Sequence, residues 1–243
     1  MTEKAYKLLA AQQRISNGEA KKLIDNGLVM CGGKKLTIAR KELESGVVFT
    51  LIEQKKPTVI TQDGELLAVD KPIGVDSYDL ERQFGLKLVH RLDKPTSGVL
   101  LLAKTDEFLA AAIAEFKKRS VVKKYLAVVE GMVAEEAKID QPIFTQKGAK
   151  ARSIVDKKRG SEAITTIKPL LVVGKHTLLE VGIETGRTHQ IRVHLAHIGL
   201  PVLGDDIYGG KAYKRLMLHA SFISILGREI TAPTPAEFNF LMR

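Results

Sequence analysis

Hydrophobic and polar positions follow one pattern up to about residue 52 and a different one beyond it. Lys4 to Gln13 has helical spacing with Leu8 and Leu9 inward. In Ser16-Asn17-Gly18-Glu19, a serine is followed three residues later by glutamate, a capping box in which each side chain satisfies an orphan backbone donor. The next helix runs through Ala20, Leu23 and Ile24. It stops at Asn26-Gly27, where glycine tolerates a left-handed C-terminus. Leu28 to Cys31, a Gly32-Gly33 turn and Lys34 to Ile38 predict a hairpin, and Val47 to Ile52 a third strand. Gln54-Lys55-Lys56-Pro57 reads as a linker between domains 1–54 and 58–243. Beyond it come short apolar strands: Leu66 to Val69, Val99 to Ala103, Tyr125 to Val129 and Thr177 to Ile183. A helix over Asp106 to Arg119 is expected to bury Leu109, Ile113 and Phe116. Its acidic start and basic end suit the helix dipole. A second helix, Thr188 to Ile198, is closed by Gly199 and Pro201. Strands outnumber helices, which predicts an α+β core. No internal repeat or low-complexity tract interrupts the pattern.

Composition narrows the class. The chain has 243 residues, 44% hydrophobic and 27% charged, which excludes disordered and fibrous proteins. One cysteine, Cys31, rules out an internal disulfide framework and suits a reducing, cytoplasmic setting. No apolar run is long enough to span a membrane, and Met1 to Leu9 does not read as a signal peptide. The net charge of +10 points to a polyanionic partner, nucleic acid before an anionic membrane. Residues 1–56 hold 11 Lys/Arg against 6 Asp/Glu, half of that excess. Arg14, Lys21, Lys22, Lys34 and Lys35 are its candidate phosphate contacts, or simply solubilising surface charges. Gln146 to Arg159 is a second basic stretch, read as an exposed loop or hairpin. Its Lys147, Lys150, Arg152, Lys157, Lys158 and Arg159 either clamp a phosphate backbone or are merely solvated.

The segment richest in chemistry is Val89-His90-Arg91-Leu92-Asp93-Lys94-Pro95-Thr96-Ser97-Gly98, running on into Val99 to Lys104. Asp93 lies among His90, Arg91 and Lys94, in a turn set by Pro95 and Gly98 that feeds a buried strand. Nearby cations favour the ionised carboxyl, which suits a nucleophile or general base rather than a general acid. The residue types alone favour a buried Asp–Arg pair that only orders the turn.

His90-Arg91-Leu92-Asp93-x-x-Thr96-Ser97-Gly98 resembles the signature of the RluA-type pseudouridine synthases. Further stretches resemble that family in its order. They are Lys124-Tyr125-Leu126-Ala127-Val128-Val129-x-Gly131, Ala163-Ile164-Thr165, Thr185 to Ala196, Gly199-x-Pro201-Val202-x-Gly204-Asp205-x-x-Tyr208-Gly209, and Leu218-His219-Ala220. The resemblance covers about residues 66–235. Residues 1–54 resemble the S-four-type RNA-binding module, although the opening lacks that module's arginine-rich start. The resemblance implies a mixed, mostly antiparallel central sheet with flanking helices, a site in a basic cleft, and a small α/β RNA-binding domain in front. It also implies isomerisation of uridine to pseudouridine in RNA, with no cofactor and no metal. Large-subunit ribosomal RNA is the expected substrate, with transfer RNA as the alternative, and a monomer is expected.

By the same resemblance, Asp93 attacks the ribose C1′ or assists elimination to a glycal, and Tyr125 stacks on the target base. Arg192 is assigned to pair with Asp93, and Arg187 to meet a phosphate. Arg91 and His90 adjoin the flipped nucleotide, and Leu218 forms an apolar floor under the base. Read without the family, Tyr125 is a strand-core tyrosine. Lys71-Pro72-Ile73-Gly74 matches the family, but Val75 to Leu88 is short and lacks the usual histidine, so substrate access differs here. Two other classes compete. His194 and His197, three apart with His189 nearby, would face one way on a helix as metal ligands, but no His-Glu-x-x-His spacing accompanies them. A non-catalytic RNA-binding protein would carry the same charge but has no need of Asp93, Tyr125 and Arg192 together.

Overall fold

The computed structural model describes residues 2–52, 55–146 and 152–241, without the side chains of Lys34, Lys35, Phe240 and Leu241. Gln54 of the linker, and Lys147 and Lys150 of the basic stretch, lie outside the described residues. The chain divides into two compact units, residues 1–56 and 57–243.

The first unit contains β1 (Thr2–Lys4), α1 (Ala5–Gln13), α2 (Asn17–Asp25), β2 (Val29–Cys31), β3 (Lys34–Lys35), β4 (Glu42–Glu44) and β5 (Phe49–Leu51). Ser16 caps α2, its Oγ accepting the Glu19 N–H at 3.1 Å. Both helices bury one face on a small core of Ala5, Leu9, Ala20, Ile24, Val29, Leu36 and Phe49. β3, β2 and β5 form one antiparallel sheet, and β1 pairs separately with β4. Lys4, expected in the first helix, ends β1 instead. Arg14 closes α1 in the left-handed conformation and is exposed, as is Lys22. The Lys21 ammonium lies 4.3 Å from the centre of the Tyr6 ring.

The second unit begins with β6 (Thr58–Gln62), β7 (Leu66–Lys71), α3 (Ser77–Phe84), β8 (Lys87–Leu88), β9 (Ser97–Ala103) and α4 (Asp106–Lys118). It continues with β10 (Val122–Glu130), β11 (Ala137–Asp140), β12 (Ile143–Gln146), β13 (Arg152–Val155), β14 (Ile164–Val173) and β15 (His176–Ile183). The last elements are α5 (Gln190–His197), β16 (Leu218–Ile225), β17 (Arg228–Thr231) and a 3₁₀ turn, Ala236–Leu241. The central sheet runs β11-β14-β15-β10-β16-β9-β7-β6, with β17 added to β16 and β8 to β9. The fold is mixed α+β with a large, mostly antiparallel sheet; β9 and β16 are its one parallel pair among the described residues.

That parallel pair positions the site. β9 and β16 pair only at Ser97 opposite His219 and Gly98 opposite Ala220. β8 and β17 then pair with the later residues of each strand. The contact at Gly98 requires glycine: its φ is 114°, and a Cβ there would stand 2.1 Å from the Ala220 carbonyl oxygen. The register carries on across four strands, from Tyr125 to Ala220 to Gly98 to Lys71. A bulge at Lys124/Tyr125 interrupts the β10–β16 ladder just before Tyr125. The strand carrying Tyr125 and the strand led in by Asp93 therefore share one row of the sheet.

Several local expectations change. α4 buries Phe108 and Ala112 and half-buries Leu109 and Phe116, but Ile113 is 41% exposed. The buried face lies about a residue earlier along the helix than Leu109-Ile113-Phe116 implied. The second helix starts at Gln190, because Thr188 and His189 are still loop. The basic stretch contains a hairpin, β12 with β13, joined through residues outside the description. α3 has no counterpart in the sequence pattern, which offers only Leu80 and Phe84 as apolar neighbours.

Candidate active site

Asp93 stands in the loop between β8 and β9, its side chain 18% exposed. The loop is pinned from three sides. Thr96 N–H closes a turn onto the Asp93 carbonyl at 2.9 Å. The Ser77 hydroxyl both donates to the Leu92 carbonyl and accepts the Leu92 N–H, each at 3.0 Å. The Lys94 carbonyl accepts from the Gly74 N–H at 2.8 Å and from Lys71 Nζ at 3.3 Å. Lys71 is fully buried and also donates to the carbonyls of Pro72 and Val75 at 3.0 and 2.8 Å. Burial pulls its ammonium down to about 7, against the opposing pull of Asp76 and Asp93. The divergent segment after Gly74 thus forms a helix whose first residue, Ser77, grips the aspartate loop.

Arg192, on α5, is 1% exposed. Its Nη1 lies 3.7 Å from Asp93 Oδ2. Its main partner, however, is Asp205, which takes Nε and Nη2 in two 2.7 Å bonds. Burial works against the guanidinium, but Asp205 and then Asp93 outweigh it and raise its pKa. Asp205 is itself held by the N–H groups of Ile207 and Tyr208 at 3.0 and 3.1 Å. The pairing expected between Arg192 and Asp93 is therefore a bridge, with Arg192 clamped on Asp205 and its remaining face turned to Asp93. The Arg192 guanidinium carbon also lies 5.1 Å from the centre of the Tyr208 ring. α5 is anchored to β14 by Gln190, which donates to the Ile164 carbonyl at 2.9 Å and to Thr165 Oγ1 at 3.1 Å.

Tyr125 packs between two apolar clusters, one of them containing Ala220 and Leu92. Burial, with the charge of Asp93 added, pushes its phenol up, so it keeps its proton. Arg91 is exposed, and its Nη2 lies 3.5 Å from Thr188 Oγ1. Arg187 is exposed beyond its Nε bond to the Glu162 carbonyl at 3.0 Å. Leu218 is 3% exposed and belongs to the core cluster against which Tyr125 packs.

Other predicted residues are placed differently. His90 turns toward β9 and α4: its Nε2 accepts the Leu101 N–H at 3.3 Å, and its ring centre is 5.9 Å from that of Phe116. That role is structural, unlike the nucleotide contact expected. His194 and His197 do not face one way. His194 is fully buried, bonded to Thr165 Oγ1 and the Gln141 carbonyl at 2.8 Å each, whereas His197 is exposed. Among the described residues, no three His, Cys, Asp or Glu side chains are grouped to hold a metal. Arg159 pairs with Asp156 and lies over the Phe144 ring, while Arg152, Lys157 and Lys158 are exposed. Sequence reasoning passed over Ser77, Lys71, His189, Asp205 and Tyr208 as site residues. The last four lay inside motifs already quoted.

Burial pulls two bracing histidines, His90 and His219, down to about 4. His219 is fully buried with Nδ1 2.9 Å from Ser97 Oγ. In the unfolded chain each takes up a proton near pH 6.5, while in the folded chain it does so only near 4. The unfolded state therefore binds more protons in that window, and stability falls as the pH drops through it. Denaturant unfolding is expected to show a loss of about 2 kcal/mol per histidine between pH 7 and pH 5.

The comparisons with known proteins agree with this architecture. The sequence profile of the RNA pseudouridylate synthase family matches residues 50–197. A relative from Helicobacter pylori (strain J99), described as an uncharacterized RNA pseudouridine synthase, is 53% identical over 97% of this chain and 99% of its own. The ribosomal large subunit pseudouridine synthase D of Pseudomonas aeruginosa is 30% identical over 76% of this chain and 70% of its own. Among solved structures, human RNA pseudouridylate synthase domain containing 1 superposes with a TM-score of 0.64 at 27% identity. The match covers 76% of this chain and 86% of that one. Fold and relatives alike define an isomerase that modifies RNA. The chain belongs to the RNA pseudouridylate synthase family.

Proposed function

We propose that this enzyme converts uridine to pseudouridine in large-subunit ribosomal RNA, with Asp93 as the reacting carboxylate, Tyr125 as the platform for the base and Arg192 as the fixed cation beside Asp93. The observation that carries the site assignment is the 3.7 Å approach of a buried, Asp205-clamped guanidinium to a part-exposed carboxylate on a braced loop. The reaction breaks the bond from ribose C1′ to uracil N1, turns the base and rejoins it through C5, releasing the C5 proton. Two routes use Asp93: direct attack at C1′, or removal of the C2′ proton to give a glycal. Both need a carboxylate held in place while the base turns. Arg192 supplies a positive charge that costs no reorganisation, because Asp205 already fixes it. Tyr125 offers a flat face that tolerates the uracil in any rotation. Arg91, exposed two residues before Asp93, is suited to fill the gap left by a flipped nucleotide.

The substrate assignment draws on the relatives named for the large ribosomal subunit, at 30% identity in Pseudomonas aeruginosa and 33% in Xanthomonas campestris. Residues 1–56 fit an S-four-type RNA-binding module, with Arg14, Lys21 and Lys22 as phosphate contacts beside Lys34 and Lys35. The exposed Arg152, Lys157 and Lys158 add a second basic surface. Arg187, also exposed, is suited to a phosphate. The test is site-by-site pseudouridine mapping after incubating the enzyme with ribosomal and transfer RNA from cells that lack it. Conversion of discrete uridines in large-subunit RNA is expected. Stoichiometric conversion confined to transfer RNA overturns the substrate assignment.

A further inference from the structure

His189 precedes α5 with its backbone in the left-handed region, φ 57°. A residue other than glycine keeps that conformation only where its surroundings hold it, and such positions cluster at functional sites. Here the imidazole spans two groups. Nδ1 lies 2.8 Å from the Tyr208 hydroxyl, and Nε2 lies 3.8 Å from Asp93 Oδ2. The ring is 13% exposed and meets Tyr208 edge-on.

The hydrogen bonds around Tyr208 favour one placement of the imidazole proton. The Tyr208 oxygen already accepts the Ser153 N–H at 3.0 Å. Burial pushes the Tyr208 phenol up, so it keeps a proton to donate. His189 Nδ1 is the acceptor in reach, and a neutral imidazole that accepts at Nδ1 carries its hydrogen on Nε2. Burial also pulls the His189 pKa down. Asp93 and Asp205 oppose that, while Arg192 and Arg91 reinforce it.

We propose that His189 is a positioning residue for Asp93, with the Tyr208 hydroxyl setting its tautomer so that Nε2–H is aimed at the carboxylate, and with the β12–β13 hairpin holding Tyr208 through the Ser153 amide. The proposal rests on Asp93 being the reacting carboxylate. At 3.8 Å the contact is long, as catalytic hydrogen bonds often are until substrate binding tightens them. Arg192 and His189 then grip Asp93 together. The hairpin that carries the exposed Arg152 also supplies the amide that orients Tyr208. Protonation of His189 changes the pattern: Nδ1 becomes a donor to Tyr208, and the imidazolium pairs with Asp93 and blunts it.

The test is a double-mutant cycle on the full chain, using His189→Asn, Tyr208→Phe, the double variant and Asp93→Asn. Asparagine accepts the left-handed backbone, and phenylalanine keeps the ring beside Arg192. Each single variant is expected to lower kcat about tenfold with KM within about twofold, and the double to fall no further than His189→Asn alone. The acid limb of the kcat–pH profile is expected to move to lower pH in His189→Asn and to shift in Tyr208→Phe. The latter variant decides alone if His189→Asn melts at the assay temperature. Additive losses, or an unmoved acid limb, overturn the proposal. An Asp93→Asn enzyme as active as the wild type overturns the underlying reading instead. An inactive Asp93→Asn with an additive cycle removes only His189.

Discussion

Asp93→Asn is expected to abolish pseudouridine formation, by about 10³-fold or more, while RNA affinity stays the same or rises slightly. The substitution is isosteric, and the loop that holds it is pinned through backbone groups rather than through the carboxylate. Ser77 holds Leu92, and Lys71 and Gly74 hold Lys94, so the loop keeps its shape. What changes is charge and nucleophilicity. An amide neither attacks C1′ nor takes a proton from C2′. Removing a negative charge from a surface that meets phosphates also favours binding. The measurement is release of tritium from RNA labelled at uracil carbon 5, with filter binding in parallel. Turnover within tenfold of wild type would remove Asp93 from the chemistry. Loss of binding together with turnover would mean that the loop had collapsed.

Asp205→Ala is expected to destabilise the protein by about 3–5 kcal/mol and to abolish activity. Arg192 and Asp205 are 1% and 0% exposed, and their two 2.7 Å bonds are the compensation for burying both charges. Without Asp205 the guanidinium keeps only the 3.7 Å contact with Asp93 and the face of the Tyr208 ring, and neither is a hydrogen bond at normal length. The N–H groups of Ile207 and Tyr208 lose their acceptor as well. A loss of that size is a large share of a typical domain's stability. Asp205→Asn separates the two effects: it preserves the shape but offers only one acceptor oxygen, leaving Arg192 able to swing onto Asp93 and quench it. That variant is expected to unfold at a denaturant concentration between those of the wild type and Asp205→Ala, and to be about 100-fold less active in single-turnover assays. An unchanged unfolding midpoint in Asp205→Ala would show that the clamp contributes nothing.

These two residues also mark how far the sequence could be read. The turn that carries Asp93 was legible because its signal is local, a Pro/Gly turn among cations before an apolar strand, whereas the role assigned to the carboxylate rests on the family resemblance and not on the residue types. α4 was legible from its acidic start and basic end, which are written at its termini, yet Ile113, expected inward, is exposed. Helical spacing gives a stripe, but the neighbouring strands choose which stripe is covered. Asp205 was quoted inside a motif without a role, because its partner lies thirteen residues away around a chain reversal that no local pattern encodes. α3 was missed because it spans only about two turns, too short for its spacing to stand out even though Asp76 and Gly85 mark its ends. His90 was expected at the nucleotide and instead meets Leu101 and Phe116, because a histidine's chemistry is visible in sequence while its burial is not.

By itself, the order of residues determined the α+β class, several strands of the central sheet and the basic character, and it carried the motifs whose resemblance to the family implies the reaction. All of these depend on composition, on periods of two or 3.6, or on neighbours within a few positions. Only the tertiary structure decided that Gly98 lets β9 lie against β16, that Lys71 and Ser77 hold the aspartate loop, and that Arg192 stands between two carboxylates. Each of those outcomes is a contact between distant segments. Its energy comes from burial and hydrogen-bond geometry, which exist only once the chain has folded.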